Sequence, residues 1–395
     1  LQHIRLDGDV AALVIMQMLN LLNRPNVLAL DRTNWKLGSR DVNILVLAVV
    51  THRFRVPLMW TLLSHAGNSA TDQRISLMER YLHLFGAASI RALLADREFV
   101  GAKWMQFLNK NNIPYAIRIK EDMVLHLADG GRHQFRTLLR KPKSGTWEGW
   151  LNGMEPTPEN LLRVAGKRIK DGELLIVATN MEKAEKGLNL YRKRWGIECM
   201  FGDAKTRGFN IEDTHITDPK KLASLLVVIA LAVTWAYRCA TCVMGRGNIR
   251  KKRHGRREKS WFRTGLDALR KWIIHQPDKA INAWTNYRAF KPELRKVAVQ
   301  AVSTWTSLVA KGRRLAAFGK LLGQAQDRNG FMLDCAKEAD LPASAFVGYS
   351  NGNGVFVDVQ SHVKRFRHWC FSFELFRVRQ QNTLAALAPQ NAHLV

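Results

Sequence analysis

Residues 42–64, "VNILVLAVVTHRFRVPLMWTLLS", contain two long apolar runs joined by a short link. Both runs, 42–52 and 55–64, are dense in β-branched and other apolar side chains, a composition typical of buried strands. Upstream, the apolar run "VLALD" (27–31) ends in Asp31, and the polar stretch "NWKLGSRD" after it predicts a turn. We therefore predict that strands dominate the start of the chain.

Downstream of these strands, helical and strand-like patterns alternate. The segment 68–86, "NSATDQRISLMERYLHLFG", predicts an amphipathic helix that ends at Gly86. "IRALLADREF" (90–99) is a second apolar run that ends in an acid, Asp96, and a helical and then a strand-like segment follow it. Short alternating segments between 115 and 180 indicate a β-rich insert. This order predicts an α/β fold, in which helices flank a mixed sheet that carries a β-rich insertion.

The composition points to a polyanionic partner. The 395 residues include 61 Lys and Arg against 33 Asp and Glu, a formal net charge of +28. Nucleic acid is the usual match for such an excess, and an anionic membrane surface is the alternative. The apolar segment 222–237 is shorter than the roughly 20 residues that span a bilayer, so a buried core helix is predicted. Five scattered cysteines predict no disulfide framework and favour a reducing cytoplasm.

One glutamate stands inside a basic helical segment, "YRKRWGIECMFGDAK" (191–205). On an α-helix, residues three, four and seven apart share a face. Four side chains of the segment therefore form one row: Tyr191, Arg194, Glu198 and Lys205. A solvated helix with an ordinary Arg–Glu pair is one interpretation. The apolar Trp195 and Phe201 beside Glu198, and the two upstream acids, favour a catalytic site instead.

Asp31, Asp96 and Glu198, brought to one point, would form an oxygen-rich site that suits Mg²⁺ or Mn²⁺. Two such ions about 3.5–4 Å apart can activate a water or a 3′-hydroxyl and stabilise the leaving oxygen of a phosphodiester. Arg194 and Lys205 would then bind the DNA backbone, and Tyr191 would stack or donate to a phosphate. Asp203 lies about 140° around the helix from Glu198, outside this site.

The spacing Y-x2-R-x3-E-x6-K resembles the YREK motif of the DDE transposases of insertion-sequence family four. "LALDRTNW" (28–35) and "LLADREF" (93–99) are similar to the sequences around that family's first and second aspartates. The similarity covers residues 1 to 296, with the β-rich insert between the second Asp and the Glu. It implies an RNase H-like catalytic core and cut-and-paste transposition by a homodimer on double-stranded transposon ends and target DNA.

The resemblance also implies individual roles. Asp31, Asp96 and Glu198 are similar to the catalytic triad that binds two divalent ions. Five residues are similar to contacts with the DNA backbone: Tyr191, Arg194, Lys205, Arg118 and Lys120. The basic run at 250–259 adds predicted phosphate contacts by four residues: Arg250, Lys251, Lys252 and Arg253. Trp147 or Trp150 of the insert either holds a flipped base or is structural.

The predicted organisation has four segments. Residues 1–114 and 181–296 form the two parts of the catalytic core, 115–180 the insertion, and 297–395 a tail of uncertain fold, from read-through or fusion. Only 30 residues precede Asp31, where the family has a DNA-binding domain, so an N-terminally truncated transposase is expected. Two alternatives stay open: a nuclease that only hydrolyses, and an inactive DNA-binding relic. A bacterial cytoplasmic location at the nucleoid is expected.

Overall fold

The computed structural model describes residues 6–285 except 23, 38, 39, 128, 142, 170, 171, 206, 215 and 246, and also residues 349, 350, 353 and 354. The chain forms two compact units, Leu1–Val299 and Gln300–Val395. In the second unit the described residues form one two-stranded ladder, and the rest of the predicted tail lies outside the described residues.

The first unit contains helices on both sides of one long sheet. The α-helices of the described residues are α1 (Gly8–Met18), α2 (Thr71–Phe85), α3 (Ala102–Lys110), α4 (Phe135–Leu138), α5 (Ala184–Tyr191), α6 (Trp195–Ala204), α7 (Pro219–Met244), α8 (Trp261–His275) and α9 (Pro277–Thr285). The strands are β1 (Asn26–Leu37), β2 (Arg40–Val50), β3 (Arg55–Leu63), β4 (Ile90–Ala95), β5 (Tyr115–Arg118), β6 (Val124–Leu127), β7 (Arg132–Gln134), β8 (Ser144–Leu151), β9 (Leu162–Arg168), β10 (Leu174–Thr179), β11 (Tyr349–Ser350) and β12 (Asn353–Gly354).

Ten strands pair in the order β3-β2-β1-β4-β5-β10-β9-β8-β6-β7. Strand β2 pairs antiparallel with both β1 and β3, whereas β1 and β4, and β4 and β5, are parallel. The centre of the sheet is fully buried, for example at Leu28, Leu45 and Leu93, which agrees with the near-continuous apolar runs of these segments. The predicted mixed sheet flanked by helices is confirmed.

The turn predicted for 34–41 is only partly correct: β1 continues through the first half of that stretch to Leu37, and β2 begins at Arg40. Leu37 pairs with Arg40 of β2, so the hairpin turns only there. The side chains explain the difference. Thr33 and Trp35 are buried and Asn34 and Lys36 are exposed, an alternation with the period of a strand that has one solvated face.

The segment 115–180 is rich in strands, as predicted, and it lengthens the same sheet. β5 pairs in parallel with β4 and antiparallel with β10, and β9, β8, β6 and β7 follow outward. The sheet therefore passes from the predicted core into the predicted insertion without a break. The four predicted segment boundaries stay predictions.

Helix α7 contains the apolar segment 222–237. By length and hydropathy it is long enough to cross a membrane, but 78% of its most apolar window is buried inside the protein. It packs against α1, α8, α9 and β3. Its burial agrees with the predicted core helix.

Candidate active site

Asp31 and Asp96 lie side by side on two parallel strands near the middle of the sheet. The pairing of β1 with β4 ends at Leu30 and Ala95, and each aspartate is the next residue of its own segment. Neighbouring strands are about 4.8 Å apart, so both carboxyl groups reach the same part of the sheet. Each aspartate accepts a hydrogen bond of 2.8 Å from the backbone N–H of the residue after it.

Helix α6 brings Glu198 to the aspartates. Helices α5 and α6 are joined through one turn of 3-10 helix, Arg192–Arg194, and α6 packs on β1, β2 and β3. At Gly196, an added Cβ would lie 3.2 Å from Cγ1 of Val50 on β2. This glycine therefore allows the short distance between helix and sheet on which the position of Glu198 depends.

The guanidinium of Arg194 lies among the three carboxylates. Its Nη1 donates to Asp31 Oδ2 at 3.3 Å, and its Nη2 donates to Glu198 Oε1 at 2.6 Å. Nη2 is also 3.9 Å from Asp96 Oδ2, and only 12% of the Arg194 side chain is exposed. Burial lowers the pKa of Arg194, but its interactions with Tyr191, Asp96 and Glu198 outweigh burial, and the pKa is raised. Three acids from distant segments thus share one internal counter-ion.

Tyr191 connects Arg194 to the second aspartate. Its hydroxyl donates to Asp96 Oδ1 at 3.2 Å and accepts from Arg194 Nε at 3.0 Å. Burial raises the pKa of Tyr191 to about 12, an effect that Arg194 opposes in part. The neutral phenol is therefore held in place as a hydrogen-bond donor to Asp96.

The surroundings of Asp31 disfavour its ionised form. Burial raises its pKa to about 6, although the backbone hydrogen bond from Arg32 and the charge of Arg194 oppose the increase. The negative charges of Glu98 and Asp96 raise it further. A carboxyl group surrounded by other carboxylates favours any added cation that can approach it.

A second ion pair lies beside the acids, and the sequence reasoning did not find it. Arg32 Nη2 is 3.3 Å from Glu98 Oε2, and Arg32 Nη1 also donates to Asn34 and Asn43. The pair joins β1 to the short 3-10 turn that follows Asp96. The sequence contains one indication of this pair: Arg32 lies one residue after Asp31, and Glu98 lies two residues after Asp96.

Lys205 departs from the predicted row. The helical conformation ends at Ala204, and Lys205 leaves the helix axis with φ −85° and ψ −138°. Its Nζ donates to the backbone carbonyl of Asn34 at 2.9 Å and lies 3.4 Å from Glu212 Oε1. The structure therefore brings Tyr191, Arg194 and Glu198 together, and places Lys205 on the extension of β1.

Arg118 lies within electrostatic range of the site, at the end of β5. It donates a hydrogen bond to Glu173, and its pKa is raised because this bond and the charges of Glu173, Tyr191 and Asp96 outweigh burial. Lys120, two residues further, is exposed. Arg118 is thus near enough to Asp96 and Tyr191 to interact with them electrostatically, and the DNA contacts of Arg118 and Lys120 stay predictions.

The basic run after α7 is an exposed loop. Arg250, Lys251, Lys252 and Arg253 are all exposed, and within the described residues no carboxylate forms an ion pair with any of them. Lys251 forms an antiparallel bridge with Arg257. The loop therefore offers unneutralised positive charge to solvent.

A family model described as "Transposase DDE domain" matches residues 23–235. The matched range spans more than half of the chain and contains Asp31, Asp96 and Glu198. The chain belongs to this family. None of the curated proteins compared with it matches. Membership confirms the α/β, RNase H-like fold class and assigns the protein to the nuclease and transposase class of enzymes.

The three acids of this transposase domain supply the type of ligand atom that divalent ions bind. Carboxylate oxygens are the ligands that Mg²⁺ and Mn²⁺ prefer, and one guanidinium balances only part of the charge of three acids. Among the described residues, however, no group of three or more His, Cys, Asp or Glu is arranged to hold a metal ion. Arg194 occupies the space between the carboxylates.

Three aromatic residues named above lie in different surroundings. Trp150 donates from Nε1 to the carbonyl of Thr157, and Trp147 packs edge-on against Phe135, so both tryptophans have structural partners. Trp195, next to Arg194, is 63% exposed, whereas Phe201, the other apolar residue noted beside Glu198, is buried. Asp203 is buried away from the site, as predicted.

Proposed function

We propose that this protein is a DDE transposase that cleaves and joins DNA strands with the help of divalent metal ions. The observation that carries the proposal is the convergence of Asp31, Asp96 and Glu198 on one guanidinium. These acids come from two strands and a helix separated by up to 167 positions of chain, from 31 to 198. A structural ion pair needs only one acid for each arginine, so three imply a further cationic partner.

The charges support two divalent ions as that partner. Arg194 balances one of three carboxylates, and the negative charges of Glu98 and Asp96 add to the increase that burial causes in the pKa of Asp31. When bound, Mg²⁺ or Mn²⁺ would activate a water or 3′-hydroxyl and stabilise the leaving oxygen. Asp31, Asp96 and Glu198 would hold the ions, and Tyr191 would keep Asp96 oriented through its hydroxyl.

Arg194 has two roles in this proposal. In the free protein it neutralises the acids, and on DNA its guanidinium would donate to a backbone phosphate, which it can bind in bidentate fashion. The exchange would leave the carboxylates available to the ions. DNA and metal binding would therefore favour one another.

The remaining proposed contacts surround this site. Backbone contacts would come from Arg118, Lys120, Lys205, Arg250, Lys251, Lys252 and Arg253. The motif spacing from Tyr191 to Lys205 supports membership of the YREK-type insertion-sequence group, with cut-and-paste transposition by a DNA-bound homodimer. A DNA substrate supports the bacterial nucleoid as the location.

The test uses a supercoiled plasmid, a labelled duplex with a 3′-hydroxyl end and Mn²⁺. We expect wild-type protein to nick the plasmid and to join the labelled strand to it. Glu198→Gln keeps the shape of the side chain but removes the charge, so both products should fall by at least about a thousandfold while DNA binding persists. Asp203→Asn is the matched control, an acid of the same helix that faces away from the site, and should retain both products.

The products separate this proposal from the two alternatives. Nicks without joined strands would indicate a nuclease that only hydrolyses. DNA binding without either product would indicate a non-catalytic relic. Full activity of Glu198→Gln would remove Glu198 from the mechanism.

A further inference from the structure

The link between β2 and β3 is a tight turn that displays basic side chains. Thr51 Oγ1 accepts from the backbone N–H groups of Arg53 and Phe54 at 3.2 and 2.8 Å, and Thr51 N donates to the Phe54 carbonyl at 2.8 Å. The turn is thus internally hydrogen-bonded. It presents His52 and Arg53 to the surface, followed by Arg55 at the start of β3.

The basic loop after α7 folds back onto this turn. Lys251 and Arg257 form a bridge, and Lys252 N donates to the Arg256 carbonyl at 2.9 Å, so the loop is a small hairpin. At its end, Arg257 Nη2 donates to His52 Nε2 at 2.8 Å across 205 positions of sequence. Two distant basic segments therefore form one surface.

Two further interactions anchor and extend that surface. The guanidinium of Arg53 lies 4.8 Å from the ring centroid of Trp261, at the start of α8. Lys193, the neighbour of Arg194, is exposed and close enough to affect His52 electrostatically.

Gly196, in the first turn of α6, packs on both sides of the turn between β2 and β3, since an added Cβ there would lie 3.2 Å from Val50 Cγ1 and 3.6 Å from Arg55 Cδ. The turn therefore lies beside the start of the helix that carries Glu198.

These cations have little negative charge to balance them. Within the described residues no carboxylate lies within 4.0 Å of the charged nitrogens of Arg53, Lys193 or Arg257. The acidic residue of the loop, Glu258, forms no ion pair there either. Burial and the charges of Arg257, Arg53, Lys193 and Arg55 lower the pKa of His52, and its Nε2 accepts a hydrogen bond from Arg257. Several cations around one imidazole, with no carboxylate paired to them, favour an anionic ligand.

We propose that the turn cluster, formed by His52, Arg53, Lys193 and Arg257, binds the phosphodiester backbone of duplex DNA beside the active site. The proposal rests on the proposed function, because it takes DNA as the substrate. Arginine guanidiniums match phosphate oxygens in geometry. The position of the turn beside the start of α6, the helix that carries Glu198, favours DNA over a lipid surface, because DNA is the substrate proposed for the acids.

The test measures binding of a labelled random-sequence duplex by fluorescence anisotropy as NaCl is increased, with EDTA present so that no divalent ion or cleavage contributes. Each phosphate that a cation neutralises contributes about 0.9 to the slope of log K against log salt. Arg53→Gln/Arg257→Gln should therefore reduce the slope by about 2, and each of the two substitutions should weaken binding at 0.1 M salt by roughly tenfold. Lys193→Gln should reduce the slope by about 1.

The matched control is Arg80→Gln/Lys103→Gln, which removes two cations that are each paired with an aspartate, Asp9 or Asp72. Its slope should equal that of wild type. The double variant could unfold because Arg53 would no longer pack on Trp261. Lys193 is exposed, so Lys193→Gln should stay folded and still tests the cluster.

Unchanged slopes in the cluster variants, or an equal decrease in the control, would overturn the proposal. So would a wild-type protein that binds phosphatidylserine vesicles but not the duplex. Because the measurement needs no catalysis, its outcome is separate from that of the joining assay. Reduced slopes with no strand joining would support the cluster and contradict the proposed enzyme activity.

Discussion

At the scale of single residues, Arg194 neutralises part of the negative charge of the three acids in the DNA-free protein. The helical spacing alone predicted that Arg194 and Glu198 lie on one face. It did not predict that the guanidinium would also reach Asp31 and Asp96, because those interactions depend on the distance between α6 and the sheet. A cation inside an acid cluster competes with any metal ion that binds there.

Arg194→Gln should therefore increase Mn²⁺ affinity in the absence of DNA by about tenfold or more, since one unit of local charge is worth on the order of 1–3 kcal/mol beside partly buried carboxylates. The measurement is Mn²⁺ titration followed by electron paramagnetic resonance. Lys193→Gln, the adjacent exposed cation, is the control and should change the affinity much less. Equal or weaker Mn²⁺ binding by Arg194→Gln would show that the guanidinium does not compete with the ion.

The same variant should be less stable without metal. Removing one partner of a partly buried ion cluster leaves uncompensated charge and costs about 2–4 kcal/mol of unfolding free energy. Urea unfolding with and without Mn²⁺ checks this, and added Mn²⁺ should restore most of the stability. A decrease that Mn²⁺ does not reverse would indicate damage to packing instead.

At the scale of secondary-structure elements, the core helices α7 and α8 pack with their backbones very close together. At Gly265 on α8, an added Cβ would lie 1.7 Å from the carbonyl oxygen of Ala236 on α7. A backbone atom cannot move aside as a flexible side chain can. The packing of α7 against α8 therefore requires glycine at this position.

Gly265→Ala should lower the free energy of unfolding by about 3 kcal/mol, at the upper end for overpacked sites. Denaturant unfolding measures the change. Gly101→Ala is the control, because a Cβ there meets nothing within 4 Å and its φ of 167° is extended backbone. Equal stability of the two variants would mean that the helices can separate at little cost.

At the scale of the whole molecule, one buried acid makes stability depend on pH. Asp203 is 8% exposed, and burial raises its pKa to about 6 even though Arg207 and Arg55 oppose the increase. The folded state thus binds the proton more tightly than the unfolded state. The stability that this protonation contributes is present at low pH and is lost as the pH rises through about 6.

Asp203→Asn should therefore gain stability relative to wild type as the pH rises, by about 2 kcal/mol between pH 4.5 and pH 7.5. Urea unfolding at both pH values gives the difference. Any fixed cost of the amide cancels in this comparison, so the change with pH isolates the carboxyl group. A difference that does not vary with pH would contradict the raised pKa.

Most helices and strands of the catalytic core, and the three acids proposed to bind metal, can be identified from local sequence patterns alone. Apolar runs, helix periodicity and motif spacing are local signals, and they indicated β2, β3, α2 and the Tyr191–Arg194–Glu198 row correctly. Asn34 and Lys36 are polar but belong to β1, where they alternate with the buried Trp35 on a strand that has one solvated face.

Which side chains contact one another depends on how the distant segments fold together. The register that sets Asp31 beside Asp96, the place of Arg194 among the acids, the Arg32–Glu98 pair and the hydrogen bond of Arg257 to His52 all join distant segments. Such interactions depend on strand pairing and on how closely helices pack, which no local spacing encodes. The residues proposed for the chemistry can therefore be identified from the sequence, whereas the ion pairs and hydrogen bonds between them require the three-dimensional structure.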